Sequence, residues 1–506
     1  MSAVVSLNPR TGAVRQLLGE EASPNDVSAT AGAAAAAAPE LQRLGRTGRA
    51  SMLRLMAEGL EADAAGIVEV ADAETALGAP RLRGELGRTT YQLRLFADAL
   101  DEGSYVEATI EHPRETALGP QPDLRRMLVP LGPVAVFGSS NFPLAFSVGG
   151  GDTASALAAG CPVVVKAHPS HPATSERTYA VLAKAASAAG APDGAIGLVH
   201  GHHAGAILVQ RGEITAVAFT GSQRGGRALL DLVNARPDPI PFYGELGSVN
   251  PLVVSPGAAR TRAAGIGTGL AQALTQGAGQ FCTKPGLAFV PAGEDGDRLC
   301  AELAHRLTEL AEPLVVANQG IRDAYFDQVA ALSRHQDVAC LVDAVRPGGA
   351  GFAVAPHVLS VGTTQLDQSL LEEVFGPYGL IVRYGTEDDL LAALRLLEPA
   401  LAGAVHSEAD EVEFTRAAFT ALAERAGRIL WNSYPPGMAV TWATQHGAGW
   451  PAATAPHTSV GVTAVRRFLR PVCWQDVPPE LLPEELREDN VAGIPRRVDG
   501  KLSVGY

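Results

Sequence analysis

Gly132-Pro133-Val134-Ala135-Val136-Phe137-Gly138-Ser139-Ser140-Asn141-Phe142-Pro143 is the stretch that decides the fold. Val134–Phe137 is a short apolar run bounded by Gly-Pro before it and Gly-Ser-Ser after it, the pattern of a strand buried on both faces. Similar runs recur at 163–165, 196–199, 217–219 and 240–243, and the Ala-rich segments between them carry helical spacing. Strands that alternate with helices pair in parallel through right-handed crossovers, and such sheets bind dinucleotides at the carboxyl ends of their strands. The usual Gly-x-Gly-x-x-Gly fingerprint follows none of these runs. Instead Phe219-Thr220-Gly221-Ser222-Gln223-Arg224-Gly225-Gly226 closes a strand and opens a helix. Glycine there lets the backbone approach a phosphate, and Ser222 near the helix N-terminus donates to it.

Composition bounds the remaining possibilities. With 506 residues the chain exceeds what one hydrophobic core supports, so at least two domains are expected. The chain is 46% hydrophobic and 19% charged, which allows substantial cores and excludes a disordered chain. A formal charge of −14 argues against nucleic acid or an anionic membrane as partner and leaves a small molecule. The N-terminus lacks a signal-peptide pattern, no apolar run spans a bilayer, and the five cysteines include no Cys-x-x-Cys pair, so a reducing cytoplasmic location is expected. The alanine tract at 31–38 runs into Leu41, Leu44, Met52 and Met56 and reads as helix rather than linker.

The chemistry centres on Gln280-Phe281-Cys282-Thr283, with Glu245 in Glu245-Leu246-Gly247 and Asn141 in Asn141-Phe142-Pro143 upstream. A lone cysteine is more often a small buried hydrophobe and a lone glutamate a solvated charge. Together, however, thiol, carboxylate and amide are the parts needed to oxidise an aldehyde. A thiolate adds to the carbonyl, an amide N–H donates to the oxyanion, and a carboxylate activates water to release the acid.

In this order and with these neighbours, the chain resembles the aldehyde dehydrogenase superfamily from about Asn8 to about Phe468. The matching runs are 132–143, Val163-Val164-Val165-Lys166, Phe219-Thr220-Gly221-Ser222, Glu245-Leu246-Gly247, Gln280-Phe281-Cys282-Thr283 and Glu372-Glu373-Val374-Phe375-Gly376-Pro377. The resemblance implies an α/β fold: a Rossmann-type parallel-sheet cofactor domain (1–110 and 132–247), an α/β catalytic domain (248–445), and a β oligomerisation arm with C-terminal tail (111–131 and 468–506). It also implies a homodimer or homotetramer, since unpaired arm strands in a monomer are an aggregation liability. The acidic, Pro-rich run at 478–489 is read as a surface tail.

The resemblance places Lys166 on the adenosine ribose of a nicotinamide cofactor, Glu373 on the nicotinamide ribose and Phe375 beside the nicotinamide. Many members carry a glutamate three residues after the lysine, which selects against a 2′-phosphate. Here the run is Lys166-Ala167-His168-Pro169-Ser170. Without that carboxylate, Lys166, Ser170 and Arg224 leave a pocket that accepts NADP, favoured over NAD. Cys282 is then the nucleophile, Asn141 and the Cys282 N–H the oxyanion donors, and Glu245 the base that frees a carboxylate rather than passing the acyl group to coenzyme A.

Local runs resemble one branch, the 2-oxoglutarate semialdehyde (2,5-dioxopentanoate) dehydrogenases and their NADP-dependent fatty-aldehyde relatives. They include Glu245-Leu246-Gly247-Ser248-Val249-Asn250-Pro251, Lys166-Ala167-His168-Pro169, His446-Gly447 and Thr458-Ser459-Val460-Gly461. The expected substrate is 2-oxoglutarate semialdehyde, with a long-chain fatty aldehyde as the alternative. Phe142, Phe281 and Trp450 are the expected pocket walls. His200-Gly201-His202-His203 lacks further ligands at metal spacing, so no metal is expected. Cys161 reads as packing, and Cys300, Cys340 and Cys473 have no motif around them. A non-catalytic protein on the same fold and a cofactor-free thiol esterase are the other classes; neither accounts for Cys282, Glu245, Lys166, Ser222 and Glu373 together.

Overall fold

The computed structural model describes residues 2–503; of the C-terminal segment, 504–506 lie outside the described residues. The first sheet has five parallel strands in the order Phe242–Glu245, Ala216–Thr220, Val134–Phe137, Val163–Lys166, Ile196–Val199. Val134–Phe137 is its central strand and is buried throughout, as its uninterrupted apolar run requires. The edge strand begins at Phe242 rather than Ile240, because Ile240 stands between Pro239 and Pro241, which have no N–H to give the ladder.

The alanine tract lies inside the helix Pro24–Arg43. Ser23 and Asp26 close a reciprocal capping box at its start, and Val27, Ala31, Ala34, Ala37, Ala38 and Leu41 turn inward. Small side chains let this helix lie close to the sheet, where Ala31 and Ala34 pack with Ala135, Val164 and Val199. A second long helix, Ala79–Glu102, buries Leu82, Glu85, Leu86, Leu93, Phe96 and Leu100 and carries two arginines toward the chemistry discussed below.

The second sheet has seven strands in the order Ala339–Val342, His357–Gly362, Tyr378–Tyr384, Leu287–Pro291, Pro251–Val254, Ala400–His406, Ala426–Trp431. Only the edge strand Ala339–Val342 runs antiparallel. Its two faces are covered by separate apolar clusters, one around Phe289, Tyr325 and Leu380 and one around Leu252, Ile266 and Leu299.

A third sheet joins Leu469–Gln475, Leu124–Pro130, Thr109–Glu111, Arg496–Val498 and Lys501–Ser503. The run at 478–489 is not a loose tail. It forms two short turns that bury Leu482 and Leu486, and Arg125 donates to the Leu486 carbonyl at 2.7 Å. Two leucines among the acidic residues are enough to fold the segment back. Just before the strand Leu469–Gln475, Arg467 is sealed in the interior with Asp152 at 2.7 Å, and Cys161 packs in the core, where burial pushes its thiol up to about 11. No helix among the described residues is long and apolar enough to cross a membrane.

Candidate active site

Cys282 follows a tight passage after the helix Pro256–Thr275. Gly277, Ala278 and Gly279 all take left-handed backbone angles, which turns the chain sharply. At Gly279 a side chain is excluded outright, because a Cβ would stand 2.2 Å from the Gly376 carbonyl. Gln280 is fully buried and fixes the turn: its amide donates to Gly277 O at 3.0 Å and its carbonyl accepts from Ala317 N at 2.9 Å. Beyond the cysteine, the Asn250 amide donates to Cys282 O at 2.7 Å and Lys284 O at 3.1 Å, while its oxygen accepts from Ala402 N and Ser248 Oγ. The half-buried thiol therefore rides on a backbone held from both sides.

Asn141 is buried and donates through Nδ2 to Gln280 O at 2.9 Å, which sets its amide against the segment leading into Cys282. An amide nitrogen carries two hydrogens, so one remains for a ligand. Glu245 ends the strand Phe242–Glu245 and is buried. Between Glu245 and Cys282 stands a residue for which no catalytic role was expected. His446 Nε2 lies 3.7 Å from Cys282 Sγ, and its Nδ1 is hydrogen-bonded to Glu245 Oε2. Residues 452–454 return alongside the Glu245 strand through Leu246 N to Ala452 O and Thr454 N to Gly244 O, and Thr458 Oγ1 accepts from His446 N. The His446-Gly447 and Thr458-Ser459 runs thus do local work: one supplies the imidazole and the other fixes its backbone.

Burial alone disfavours the charged imidazole. The Glu245 carboxylate and the contact with Cys282 outweigh that and push His446 up to about 10. At neutral pH it is an imidazolium with an N–H on each side. Such a group stabilises negative charge at the sulfur, and through Glu245 it forms a buried proton-holding pair.

The expected cofactor residues lie at the carboxyl ends of the first sheet. Ser222 caps the helix Gln223–Asn234, its Oγ accepting from Gly225 N at 3.2 Å, and Gly221 N donates to Glu245 O at 3.0 Å. A Cβ would stand 2.7 Å from the Phe219 ring at Gly221 and 2.3 Å from the Leu246 side chain at Gly226, while Gly225 meets Phe219 at 3.3 Å. Arg224 is exposed on the first turn of the helix. Lys166 ends its strand in a site whose burial lowers it to about 8, with Glu21 the carboxylate that favours its charge. Ser170 is buried and accepts from the Asn318 amide at 2.8 Å, so its hydroxyl is already engaged across to the second sheet's side.

Glu373 comes from the loop before the strand Tyr378–Tyr384 of the second sheet and reaches Gly247, where a Cβ would stand 1.7 Å from its carboxylate. Gln223 donates to Gly247 O from the other side at 3.0 Å. Lys284 holds the loop that carries Glu373 and Phe375: its Nζ donates to Val374 O, Gly376 O and Tyr378 O at 2.7, 2.7 and 3.0 Å. Burial raises the Glu373 carboxyl and lowers the Lys284 ammonium, and each partly restores the other's charge. Strand ends, a capped helix N-terminus, glycines with no room for a side chain and a buried lysine fit a dinucleotide.

Phe142 and Phe281 pack edge to face at 5.1 Å with Ala145 beside them and Phe146 at the margin. Trp450 is elsewhere. Because the chain reverses after Gly447 to run along the Glu245 strand, Trp450 projects outward, 48% exposed, with the Arg227 guanidinium 5.8 Å from its ring. It lines a cleft of about 680 Å³ with Phe242, Ile240 and Leu230, whose wall also includes Gln445 and Gly447 on either side of His446. Cys340, Asp343 and His357 approach one another in the second sheet's edge region. Both His357 nitrogens are already bonded, to Ala344 N and Ser333 Oγ, so the group offers no free imidazole ligand.

A nucleotide-type sheet opening beside a cysteine, an imidazole and a carboxylate defines an oxidoreductase that works on carbonyl compounds. The chain belongs to the aldehyde dehydrogenase family, whose sequence model matches residues 2–450. It is 44% identical over 466 residues to alpha-ketoglutaric semialdehyde dehydrogenase 2 of Azospirillum brasilense, covering 90% of this chain and 87% of that one. It is 39% identical over 494 residues to the alpha-ketoglutaric semialdehyde dehydrogenase of Acinetobacter baylyi, covering 96% and 92%. The fold matches that of PnpE in complex with nicotinamide adenine dinucleotide at a TM-score of 0.80, 20% identity and 96% coverage of both chains. The protein is an aldehyde dehydrogenase enzyme.

Proposed function

We propose that this enzyme oxidises 2-oxoglutarate semialdehyde to 2-oxoglutarate, with NADP preferred over NAD, and that Cys282, His446, Glu245 and Asn141 carry the reaction. The observation that carries the chemistry is His446 bridging Cys282 and Glu245. The substrate rests on the likeness to two alpha-ketoglutaric semialdehyde dehydrogenases over 90% or more of this chain.

Cys282 Sγ, its negative charge stabilised by the imidazolium, attacks the aldehyde carbon. The oxygen that becomes negative accepts from Asn141 Nδ2 and the Cys282 N–H. Lys166, Ser222 and Glu373 would hold the dinucleotide, whose nicotinamide supplies the hydride acceptor. Cys282 is left as a thioester, and water must then attack it. The Glu245 carboxylate takes the proton from that water, the C–S bond breaks as the His446 imidazolium donates its Nε2 proton to the departing sulfur, and the carboxylate leaves as the thiol is restored. Among the described residues, the edge strands Leu469–Gln475 and Lys501–Ser503 of the third sheet have no outer partner, which supports a homodimer or homotetramer, and light scattering measures this directly.

The absence of a carboxylate at position 169 supports NADP, whereas Glu21 facing Lys166 bears the other way. The aromatic group of Phe142, Phe146 and Phe281 favours a second reading, a long-chain aldehyde in an apolar tunnel. Initial rates at 340 nm decide both questions, with 2-oxoglutarate semialdehyde or decanal as substrate and NADP or NAD as acceptor. A kcat/KM about a hundredfold higher for the semialdehyde is expected, and a preference for decanal overturns the substrate. A higher kcat/KM with NAD than with NADP overturns the cofactor preference.

A further inference from the structure

One face of the helix Ala79–Glu102 carries Arg81, Glu85 and Arg88 toward the loop that follows Asn141. Two of these have partners. Arg81 donates to Asn141 O at 2.7 Å and lies over the Phe142 and Phe281 rings, while the Glu85 carboxylate accepts from Leu144 N and Ala145 N at 2.8 and 3.0 Å. Both hold the oxyanion loop in place.

Arg88 is different. Its guanidinium lies 5.1 Å from the Phe146 ring centre, and the Phe146 ring in turn lies 6.3 Å from the ring of His446. Nε and Nη2 are buried with no hydrogen-bond partner, and among the described residues no carboxylate forms an ion pair with it. Arg428, on the strand Ala426–Trp431, is a second cation close enough to interact with both Arg88 and Cys282. It is tied to the Gly437 and Pro435 carbonyls and likewise has no acidic partner among the described residues. The Cys282 sulfur partly offsets both guanidinium charges, and the Glu85 carboxylate one turn earlier partly offsets that of Arg88, but neither arginine has a carboxylate in hydrogen-bond contact, so an anion arriving beside them meets two partly desolvated cations.

Nε and Nη2 are also the two donors that lie parallel on one edge of a guanidinium and match the two oxygens of a carboxylate. The residue as a whole is half-buried while Nε and Nη2 are not exposed, so seating a ligand requires the guanidinium to turn that edge toward it. We propose that Arg88, in the field of Arg428, seats a carboxylate at the far end of the substrate, so that the enzyme selects short aldehydes carrying a terminal carboxylate. In an extended five-carbon chain the aldehyde and carboxylate carbons are about 5 Å apart. With the Phe146 ring centre 5.1 Å from the Arg88 guanidinium and 6.3 Å from the His446 ring, a chain of that length, extended by a hydrogen bond of about 2.9 Å at its carboxylate, reaches along the ring between them. Phe146 then flanks the methylenes while Arg88 fixes the free end, which explains an arginine stacked at the margin of an otherwise apolar group.

This inference rests on the reading that the substrate is an anionic semialdehyde, and the two fail separately. The test measures the ratio of kcat/KM for 2-oxoglutarate semialdehyde to that for pentanal, a neutral aldehyde of the same length, in wild type, Arg88→Gln and Arg88→Lys. The ratio is expected to fall about a hundredfold in Arg88→Gln, through KM, and to stand between the two in Arg88→Lys, which keeps the charge but loses the fork. An unchanged ratio in Arg88→Gln, or an equal loss on both aldehydes with dinucleotide binding retained, overturns the seat. If Arg88→Gln no longer binds dinucleotide in a fluorescence titration, Arg88→Lys carries the same ratio test. If the wild type turns over succinic semialdehyde better than 2-oxoglutarate semialdehyde, the proposed substrate is wrong and the seat is tested with the former. A wild type with no preference for any anionic aldehyde over its neutral counterpart refutes the seat itself.

Discussion

Replacing His446 with asparagine removes an imidazolium that is fully enclosed between Cys282 and Glu245 while keeping a side chain that still donates a hydrogen bond. The histidine is pushed from its ordinary 6.5 up to about 10. That difference corresponds to at most about 5 kcal/mol favouring the folded, charged form. A group whose folded pKa is raised contributes fully below its unfolded pKa and loses that contribution as pH climbs through the folded one. The stability gap between wild type and His446→Asn is therefore expected to be largest near pH 6. Above about pH 6.5 it should shrink by roughly 1.4 kcal/mol per pH unit until about pH 10.

Urea midpoints of both proteins at pH 6.5, 8 and 9.5 read this directly. Turnover supplies an independent check, since losing a positioned acid–base group slows the chemical step by about 10² to 10⁴. Single-turnover mixing should also show where the loss falls, with thioester formation and its hydrolysis both affected because the imidazole faces the sulfur and the carboxylate. A gap that is flat with pH, or that widens toward pH 9.5, refutes the imidazolium. Turnover within threefold of wild type refutes its part in the chemistry.

Three further outcomes follow from the same geometry. Glu245→Gln should give a burst of reduced cofactor of about one equivalent and then slow turnover, because the thioester forms but its hydrolysis lacks the carboxylate; an unchanged steady-state rate would remove Glu245 from that step. Lys284→Met leaves the carbonyls of Val374, Gly376 and Tyr378 without their shared donor. It should cost about 3 kcal/mol or more in urea unfolding and weaken dinucleotide binding in a fluorescence titration. Arg467→Ala strands Asp152 in the interior and should cost about 3–5 kcal/mol in the same unfolding assay, while the double variant with Asp152→Ala should recover part of it.

What the sequence disclosed and what it hid have distinct physical reasons. Val134–Phe137 and Ile196–Val199 were legible because a strand covered on both faces is apolar throughout. Cys282, Glu245 and Asn141 were proposed from short runs that resemble one family, and the structure brings Cys282 and Glu245 together through His446, with Asn141 held against the segment that leads into Cys282. His446 was not assigned a role. Its partners come from segments more than 160 positions away, and only the return of residues 452–454 along the Glu245 strand brings it to them. The His446-Gly447 and Thr458-Ser459 runs were the available signal. Trp450 was expected as a pocket wall, but aromatic identity does not reveal direction. The reversal after Gly447 that delivers His446 inward sends Trp450 outward onto Arg227.

The same logic explains why the reactive parts are distributed as they are. Glu245, Leu246 and Gly247 leave the first sheet, Cys282 and Lys284 precede a strand of the second, and Glu373 and Phe375 precede another. Gly247 is the point where they meet: Gln223 holds its carbonyl from the cofactor side, and the Glu373 carboxylate occupies the space a side chain would need. A residue with a Cβ at 247 would drive Glu373 away, and with it the loop that Lys284 grips. The first effect of Gly247→Ala should therefore be on dinucleotide affinity rather than on the intrinsic reactivity of Cys282. Titration with NADP and alkylation of Cys282 by iodoacetamide in the free enzyme separate the two. Weaker NADP binding with an unchanged alkylation rate is the expected pair, whereas slowed alkylation with intact NADP binding would mean that the Gly247 junction supports the nucleophile instead.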